Sequence, residues 1–241
     1  VYPPPGLAVQ AVLARLLWLK YDLPLVAGTI LLRLAGLGVY LMGAWLAVRW
    51  LPFGKWILVV LALAPMALFA AATVNMDGYN NALSFLFIAL VLRTAVKKEQ
   101  RLGWGEVGAL AGLSILLGLS KPGTVLILPF LLILYRRRPV TTLQVVTLVL
   151  GALLAVGLTV GWNSLALAGS HFDAGGEQSV GRQMERILAD PWQFTITFLL
   201  ANVTRLGSIY QDWVGVYGHW VGQVPADIYF IYPLGLLGVL L

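Results

Sequence analysis

The sequence contains no cysteine and few charged residues, and each shortage excludes a class of protein. Without cysteine there can be no disulfide framework, thiolate metal site or cysteine nucleophile. Charged residues make up only 11% of the chain, against roughly 25% in an ordinary soluble domain. Hydrophobic residues make up 60%, and the mean hydropathy is +0.87. These values predict an integral membrane protein.

Histidine is also scarce, and the excess of basic residues has a simple explanation. The two histidines, His171 and His219, lie too far apart in the sequence to suggest a local zinc motif. The net charge of +6 would suit a nucleic-acid partner, but the basic residues cluster beside apolar runs. The positive-inside rule accounts for that clustering. We therefore predict no nucleic-acid partner and a chain surrounded by membrane lipids.

Long apolar runs predict an all-α, polytopic membrane helix bundle with about seven transmembrane helices. Most of the runs are long enough to cross a hydrocarbon core of roughly 30 Å as a helix. The sequence begins at Val1 rather than Met and stops inside an apolar run, so we expect both ends to be cut. The predicted spans lie near 25–48, 56–74, 80–96, 106–120, 122–135 and 142–165, with an incomplete one from about 228.

The distribution of basic residues predicts the orientation of these spans. Alternate loops between spans lie on the same side of a membrane. Three such loops hold nine of the sixteen basic residues but only two of the ten acidic ones, so we expect them to be cytoplasmic. The loop 74–80 and Lys121 then face the outer side. The nine basic residues are Arg49, Lys55, Arg93, Lys97, Lys98, Arg101, Arg136, Arg137 and Arg138.

The same orientation divides the chain into four segments. We expect 1–24 to be an outer interfacial segment, the remnant of a first outer loop, and 25–165 to be the transmembrane module. An extracytoplasmic segment with interfacial helices covers 166–227, and 228–241 starts a further span. Residues 192–210 are better explained as an interfacial helix than as a span. A crossing there would place Asp212 and Asp227 in the cytoplasm without a basic residue.

A polar cluster interrupts the apolar sequence at the predicted outer mouth of two spans. Asn75, Asp77, Asn80 and Asn81 lie within seven residues. One interpretation is structural: Asp77-Gly78 forms a turn, and Asn80 or Asn81 caps the next helix. The other is functional, because a carboxylate among amides can bind a metal ion, a phosphate-bound metal or sugar hydroxyls. The residues alone leave both open.

Two isolated cations lie in otherwise apolar regions. Lys121 is the only charged residue between 107 and 135. It either extends to the membrane surface from a helix junction or faces the same outer cavity as Asp77, where it could bind a lipid phosphate. Arg33 either extends to the surface or pairs with Asp22. Two GxxxG spacings, 108–112 and 157–161, would suit close helix packing, but glycine is common enough here to produce them by chance.

Six short motifs are distributed along the chain: Tyr2-Pro3-Pro4, LPFGK at 51–55, LAPMALFAAATVNMDG at 63–78, Leu119-Ser120-Lys121-Pro122, ILADPWQF at 187–194 and VGVYGHW at 214–220. They resemble those of a family of uncharacterised multispanning bacterial membrane proteins, a domain of unknown function that looks related to the GT-C glycosyltransferase superfamily. The resemblance covers nearly the whole chain. Where the family usually has Pro, this chain has Met76, and a Gly-Trp-Leu-Asp stretch is replaced around Gly218-His219-Trp220.

The resemblance implies an enzyme of the bacterial cytoplasmic membrane that takes a sugar from a polyprenyl-phosphate carrier on the outer face. Asp77 would help to hold a divalent metal or the acceptor, and Lys121 would meet the lipid phosphate. Tyr2, Asn75 and Asn80 complete the implied substrate-binding set, and outer aromatic residues would contact sugar rings. The usual catalytic carboxylate of that superfamily lies in a first outer loop, which here would precede Val1.

Two other function classes compete with the transferase. A non-catalytic accessory subunit of a larger membrane complex would need only helix faces for its protein partners. A transporter is disfavoured, because the spans within 25–96 carry no mid-membrane acid or amide cluster and no inverted repeat is visible.

Overall fold

The computed structural model describes residues 3–97, 101–137, 139–169, 180–217 and 222–240. This part of the chain is almost entirely helical, with one two-residue antiparallel ladder, β1 (Val216–Tyr217) with β2 (Gly222–Gln223). A 3-10 turn, Pro4–Leu7, leads into the first helix. The α-helices are α1 (Ala8–Leu19), α2 (Leu25–Trp50), α3 (Lys55–Ala62), α4 (Pro65–Ala71), α5 (Asp77–Val96), α6 (Trp104–Gly118), α7 (Leu132–Arg137), α8 (Thr142–Gly169), α9 (Val180–Ala189), α10 (Pro191–Thr204), α11 (Leu206–Gly215) and α12 (Ala226–Leu240).

Within the described residues, three helices are long and apolar enough to cross a membrane: Leu25–Trp50, Asp77–Val96 and Thr142–Ala166. They match three of the seven predicted spans. The predicted span 106–120 is the 15-residue α6, and the last one is the 15-residue α12. Each is shorter than the roughly 20 residues that a perpendicular crossing needs.

The predicted span 56–74 is broken into two short helices. α3 ends at Ala62 and α4 begins at Pro65. Proline has no amide hydrogen and is favoured in the first turn of a helix, so it starts α4 rather than extending α3. The prediction of one continuous span was wrong because it relied on the apolar length of the run and not on Pro65.

Two tyrosine hydroxyls bond the backbone carbonyls that the break leaves open. Tyr40 of α2 donates to the Ala62 carbonyl at 2.7 Å, and Tyr232 of α12 donates to the Val60 carbonyl at 2.7 Å. Unpaired carbonyls are costly where no water is present, so a broken helix in a membrane needs such donors. α2 and α12 therefore stabilise the break.

Replacing Tyr40 by phenylalanine is expected to lower the free energy of unfolding by about 1–3 kcal/mol, because the Ala62 carbonyl would lose its donor in a buried position. Tyr40 is fully buried. The measurement is denaturant unfolding of the purified protein in detergent micelles. Tyr135→Phe is the control, because that ring is 67% exposed. Equal stability of the two variants would contradict a stabilising role for the Tyr40 hydroxyl.

The predicted span 122–135 is also irregular. It consists of a ten-residue 3-10 helix, Pro122–Leu131, followed by α7. Pro129 lies inside the 3-10 helix and cannot donate a backbone hydrogen bond. At its start, Thr124 donates to the Lys121 carbonyl at 2.6 Å and to the Leu117 carbonyl at 2.9 Å. Runs of 3-10 helix longer than about four residues are uncommon, so this segment differs from an ordinary transmembrane helix.

The core of the bundle lies where α5 meets α6, α8 and the 3-10 helix Pro122–Leu131. Phe87, Val91, Leu110 and Leu117 are fully buried there. α6 and α8 approach closely at Gly118, where a Cβ atom would collide with the backbone of Ala155. A Cβ on any glycine of the two GxxxG pairs would meet nothing within 4 Å in the described part of the chain. Those pairs are therefore not helix contacts here.

The two ends of α5 carry different charged residues. At its last residues Arg93 lies over the Trp50 ring at 5.9 Å, and Lys97 pairs with Glu106 at 3.0 Å. Asp77 starts the same helix, 20 residues in length, so the two ends are about 28 Å apart. The polar cluster and the basic loop therefore lie at opposite ends of the bundle.

The segment after α8 forms short helices instead of one interfacial helix over 192–210. Asp190 caps α10 by accepting a hydrogen bond from the Gln193 amide at 2.9 Å, and α10 gives way to α11 near Arg205. Large apolar side chains of α10 are exposed, among them Trp192 and Leu200. Gly175, Gly176 and the Gly218-His219-Trp220 motif lie outside the described residues.

Candidate functional site at the start of α5

A tight turn before α5 fixes the orientation of the Asp77 carboxylate. The Asn75 side-chain oxygen accepts a hydrogen bond from the Asp77 amide at 2.9 Å, and the Asn75 amide donates to Asp77 Oδ2 at 3.2 Å. Asparagine commonly bonds to the backbone two residues on, which closes such turns. Because Asn75 holds both the backbone and the side chain of Asp77, the other carboxylate oxygen has a defined direction.

That second oxygen, Asp77 Oδ1, forms an ion pair with Lys121 Nζ. The structure thus brings together the two charged residues that the sequence places on one side of the membrane. Their side chains are 36% and 34% exposed, respectively. Ion pairs of such exposure contribute at most about 1 kcal/mol to stability, because solvent screens them. The pair is therefore weak enough for a charged ligand to exchange one of its partners.

Asn80 connects α5 to the segment that carries Lys121. Its side-chain oxygen accepts a hydrogen bond from the Ser120 hydroxyl, 40 residues away in sequence. Ser120 is 2% exposed, so this bond is shielded from solvent and anchors the α6–Lys121 junction. Asn81, one position on, has no side-chain hydrogen-bond partner among the described residues, which leaves its amide available to a ligand.

The structure corrects the capping interpretation of this cluster. α5 begins at Asp77, so Asn80 and Asn81 are its fourth and fifth residues and cannot be its N-cap. The residue before Asp77, Met76, makes no side-chain capping bond. Asn75 fills that need instead, through its bond to the Asp77 amide. The amides at 80 and 81 are therefore not explained by helix capping.

An aromatic residue of α11 completes the site. Trp213 of α11 is 44% exposed and packs edge-on against Tyr232 of α12, with ring centroids 5.5 Å apart. Tyr232 is itself bonded to the α3–α4 break. The broken span thus positions the indole indirectly. Aromatic residues were predicted to contact sugar rings, but nothing in the sequence distinguishes Trp213 from the others.

These residues surround one opening of about 290 Å³, which we name the Asp77 cavity. A carboxylate, an ammonium group, two amides and an indole face it together. Pockets of this kind combine a few placed polar groups with an apolar wall. The lining residues are Ala64, Met66, Ala67, Ala70, Asp77, Asn80, Asn81, Lys121 and Trp213.

The donor set of the Asp77 cavity does not fit a divalent metal held by protein ligands alone. Asp77 supplies the single carboxylate of the cavity lining, and its oxygens already contact an ammonium group and an amide donor. The Asn80 side-chain oxygen accepts a bond from Ser120. Within the described residues there is no group of three or more His, Asp or Glu side chains arranged for a metal.

Arg33 and Tyr2 are the remaining residues singled out by the sequence. Arg33 Nε donates to the Ala72 carbonyl at 2.7 Å, just after α4 ends, rather than pairing with Asp22. The arginine thus stabilises the backbone next to the polar cluster. Tyr2 lies outside the described residues, although Pro3 is described and lines a neighbouring cavity beside Ser120.

Comparison with known proteins assigns the chain to a family. No curated protein and no solved structure is similar enough to count as a match. Residues 2–241 match the profile of a family described as predicted membrane protein, DUF2142. The match covers almost the whole chain, and the three long apolar helices accord with a membrane location. The chain therefore belongs to this family of predicted membrane proteins.

Proposed function

We propose that this protein is a GT-C-like glycosyltransferase that transfers a sugar from a polyprenyl-phosphate carrier at the outer face of a bacterial cytoplasmic membrane. The observation that supports this most is the composition of the Asp77 cavity. Carboxylate and amide groups hydrogen-bond sugar hydroxyls, an indole packs against the apolar face of a sugar ring, and an ammonium group attracts a phosphate. The cavity contains all three kinds of group.

The proposal includes the predicted GT-C-like architecture with about seven crossings. Besides the three long helices, four shorter apolar units among the described residues would supply the other crossings, and Pro4–Leu19 would lie at the interface. The four units are α3 with α4, α6, the 3-10 helix with α7, and α12. Irregular backbone inside a membrane is tolerated where it is buried in protein or lines a cavity. The α3–α4 break fits that condition, because Ala64 at the break lines the Asp77 cavity.

The ion pair between Asp77 and Lys121 suggests how donor binding prepares the site. A lipid phosphate that enters the cavity competes with Asp77 for the Lys121 ammonium group. When Lys121 turns to the phosphate, Asp77 Oδ1 is released and can accept a hydrogen bond from a sugar hydroxyl. Each charge thus has a partner in both states, which avoids leaving an uncompensated charge at the membrane surface.

In the transfer itself, the bond between the anomeric carbon and the phosphate oxygen breaks, and the acceptor hydroxyl oxygen bonds to that carbon. The hydroxyl proton passes to a base, and the polyprenyl phosphate leaves with its negative charge. Lys121 stabilises that charge, while Asp77 and the amides orient the sugar. The resemblance implies that this base is a carboxylate of a first outer loop. No step is assigned to a metal, given the donor set of the cavity.

Sugar transfer by the full-length protein tests this function. The purified protein is reconstituted in vesicles with polyprenyl phosphates that carry radiolabelled hexoses or pentoses, and a membrane extract supplies acceptors. We expect labelled sugar to move from the lipid fraction to an acceptor, with release of polyprenyl phosphate. If no donor in the panel loses its label in the presence of the protein, the proposed activity is wrong.

Replacing Trp213 by alanine is expected to weaken the binding of the donor sugar by about two- to ten-fold, since aromatic contacts of this kind contribute about 0.5–1.5 kcal/mol. The readout is KM for the lipid-linked sugar in the vesicle assay. Trp213→Phe keeps an aromatic face and should retain most of the affinity. Trp192→Ala is the control, because Trp192 is 72% exposed on α10 and does not line the cavity. An unchanged KM in Trp213→Ala would remove the indole from the sugar site.

One feature favours the alternative role as an accessory subunit of a larger membrane complex. In the described part of the chain, α10 packs against α9 and α11, and it exposes Trp192, Phe198 and Leu200. Such a surface suits a protein partner as well as lipid. Isolation of the protein from native membranes in a stable complex, together with loss of that complex on Phe198→Glu, would support this role over independent catalysis.

A further inference from the structure

A wide apolar groove runs between α8 and the irregular span that follows Lys121. Its volume is about 680 Å³, and its walls include Val125, Leu128, Leu148, Ala152 and Val156. On α8 the lining extends from Val145 to Val156, or about 16 Å at the rise of an α-helix. The groove therefore covers about half of a hydrocarbon core of roughly 30 Å.

The second wall of the groove is not a regular helix. It consists of the ten-residue 3-10 helix with its internal Pro129, followed by α7. Leu132 and Leu153 line the groove and remain 65% and 61% exposed, so the groove is open along its side. In a membrane, that side faces hydrocarbon chains.

A smaller, polar chamber adjoins the groove on its Lys121 side. The chamber measures about 210 Å³ and is lined by Ser120, Thr159 and Asn163, among others. Thr159 lies less than one turn beyond Val156 on α8, and Pro122, which also lines the chamber, lies three residues before Val125. The two spaces therefore lie end to end along the same pair of walls, apolar at one end and polar at the other.

The polar chamber also borders the Asp77 cavity. Ser120 lines the chamber, and its hydroxyl donates to Asn80, which lines the Asp77 cavity. Lys121 lies between Ser120 and Pro122 in sequence and directs its ammonium group to Asp77. A molecule lying in the groove with its polar end in the chamber would thus reach Ser120, the residue next to Lys121. Lys121 is the cation to which the proposed function assigns the phosphate.

We propose that this groove holds the isoprenoid chain of the polyprenyl-phosphate donor, with the polar end of the lipid crossing the chamber to reach Lys121. This inference depends on the proposed function, which makes that lipid the donor. The gradient from apolar walls to Ser120, Thr159 and Asn163 matches a ligand with a long hydrocarbon part and one polar end. A transmembrane helix of a partner, apolar over its whole membrane length, would leave the polar chamber unused.

The test is photo-crosslinking with lipids in vesicles made of phosphatidylethanolamine and phosphatidylglycerol. One probe is polyprenyl phosphate with a diazirine on its chain, and the other is phosphatidylglycerol with a diazirine on an acyl chain. Mass spectrometry maps the labelled peptides. We expect the polyprenyl probe to label 122–137 and 142–156 preferentially. Equal labelling of these peptides by the phosphatidylglycerol probe would overturn the proposal, as would polyprenyl labelling confined to other helices.

A matched pair of variants adds a second measurement. Val149 lines the groove and is 50% exposed, whereas Leu150 is 59% exposed and does not line it. Val149→Trp should fill the groove and reduce polyprenyl labelling by about ten-fold or more, while Leu150→Trp should not. Leu132→Trp serves in place of Val149→Trp if that variant misfolds. Equal labelling in the filling and control variants would overturn the proposal.

Failure of this inference and failure of the proposed function give different results, because the probe carries no sugar. Specific labelling of the groove without any sugar transfer would overturn the transferase while leaving the lipid site in place. Sugar transfer combined with labelling elsewhere would overturn the lipid site alone.

Discussion

Replacing Asp77 by asparagine is expected to reduce sugar transfer by about 100-fold or more while the protein still inserts and folds. The substitution preserves the size of the side chain and the turn that Asn75 forms at the Asp77 amide. It removes the negative charge that pairs with Lys121 and that would accept a hydrogen bond from a sugar hydroxyl. The measurement is kcat/KM with polyprenyl-phosphate sugars in vesicles, together with size-exclusion chromatography of the purified variant.

Asp212→Asn provides the matched control for this prediction. Asp212 is exposed, lies beside Trp213 in sequence and does not line the Asp77 cavity. The same change in charge and shape at that position should leave transfer close to the wild-type rate. If Asp77→Asn and Asp212→Asn transfer sugar equally well, Asp77 has only a structural role in the turn.

Replacing Lys121 by glutamine is expected to lower kcat/KM by about 100-fold, because the leaving phosphate would lose the cation that neutralises it. The fall should reduce kcat as well as raise KM, since charge develops on the phosphate as the bond breaks. The substitution also leaves Asp77 without its partner, so stability must be measured in parallel. A loss of at most about 1 kcal/mol is expected for a pair of this exposure.

Exchanging the two charges separates the functional role of the pair from a structural one. The double variant Asp77→Lys with Lys121→Asp preserves an ion pair between α5 and the residue before the 3-10 helix. We expect near-normal thermal stability but no recovery of transfer, because the cation then lies on the wrong wall. Recovery of activity in the double variant would show that the pair only holds the two segments together.

Three candidate membrane spans could be predicted from the sequence because apolar length and charge at the ends act together. α2, α5 and α8 satisfy both conditions. The α3–α4 break could not be placed by hydropathy, which sums over a window and does not register the missing amide of Pro65. The 3-10 helix could not be predicted either, since the Leu and Ile residues around Pro129 give the same hydropathy in an α-helix and in a 3-10 helix. Local backbone chemistry, rather than apolarity, decides these two segments.

The site could be predicted in part. Asp77 and Lys121 were placed on one face by span counting, and the structure pairs them. The hydrogen bond between Ser120 and Asn80 could not be predicted from the sequence. The two residues are 40 positions apart, and either side chain could have bonded to water or to the backbone. Trp213 belongs to a segment rich in aromatics, and only the packing of α11 against α4 and α12 brings that one indole to the cavity.

The hydrogen bond from Tyr232 to the Val60 carbonyl has a consequence for biosynthesis. The two residues are 172 positions apart, so the Val60 carbonyl has no tyrosine donor until almost all of the described chain has been synthesised. During that interval, water, a lipid headgroup or the translocation machinery must satisfy the open backbone. Trp213 packs against the same tyrosine, so its indole takes its final position only after Tyr232 has been synthesised. A nascent chain arrested before α12 would therefore lack the fixed position of Trp213 at the Asp77 cavity. We expect quality-control proteases to degrade such a chain faster than the finished protein.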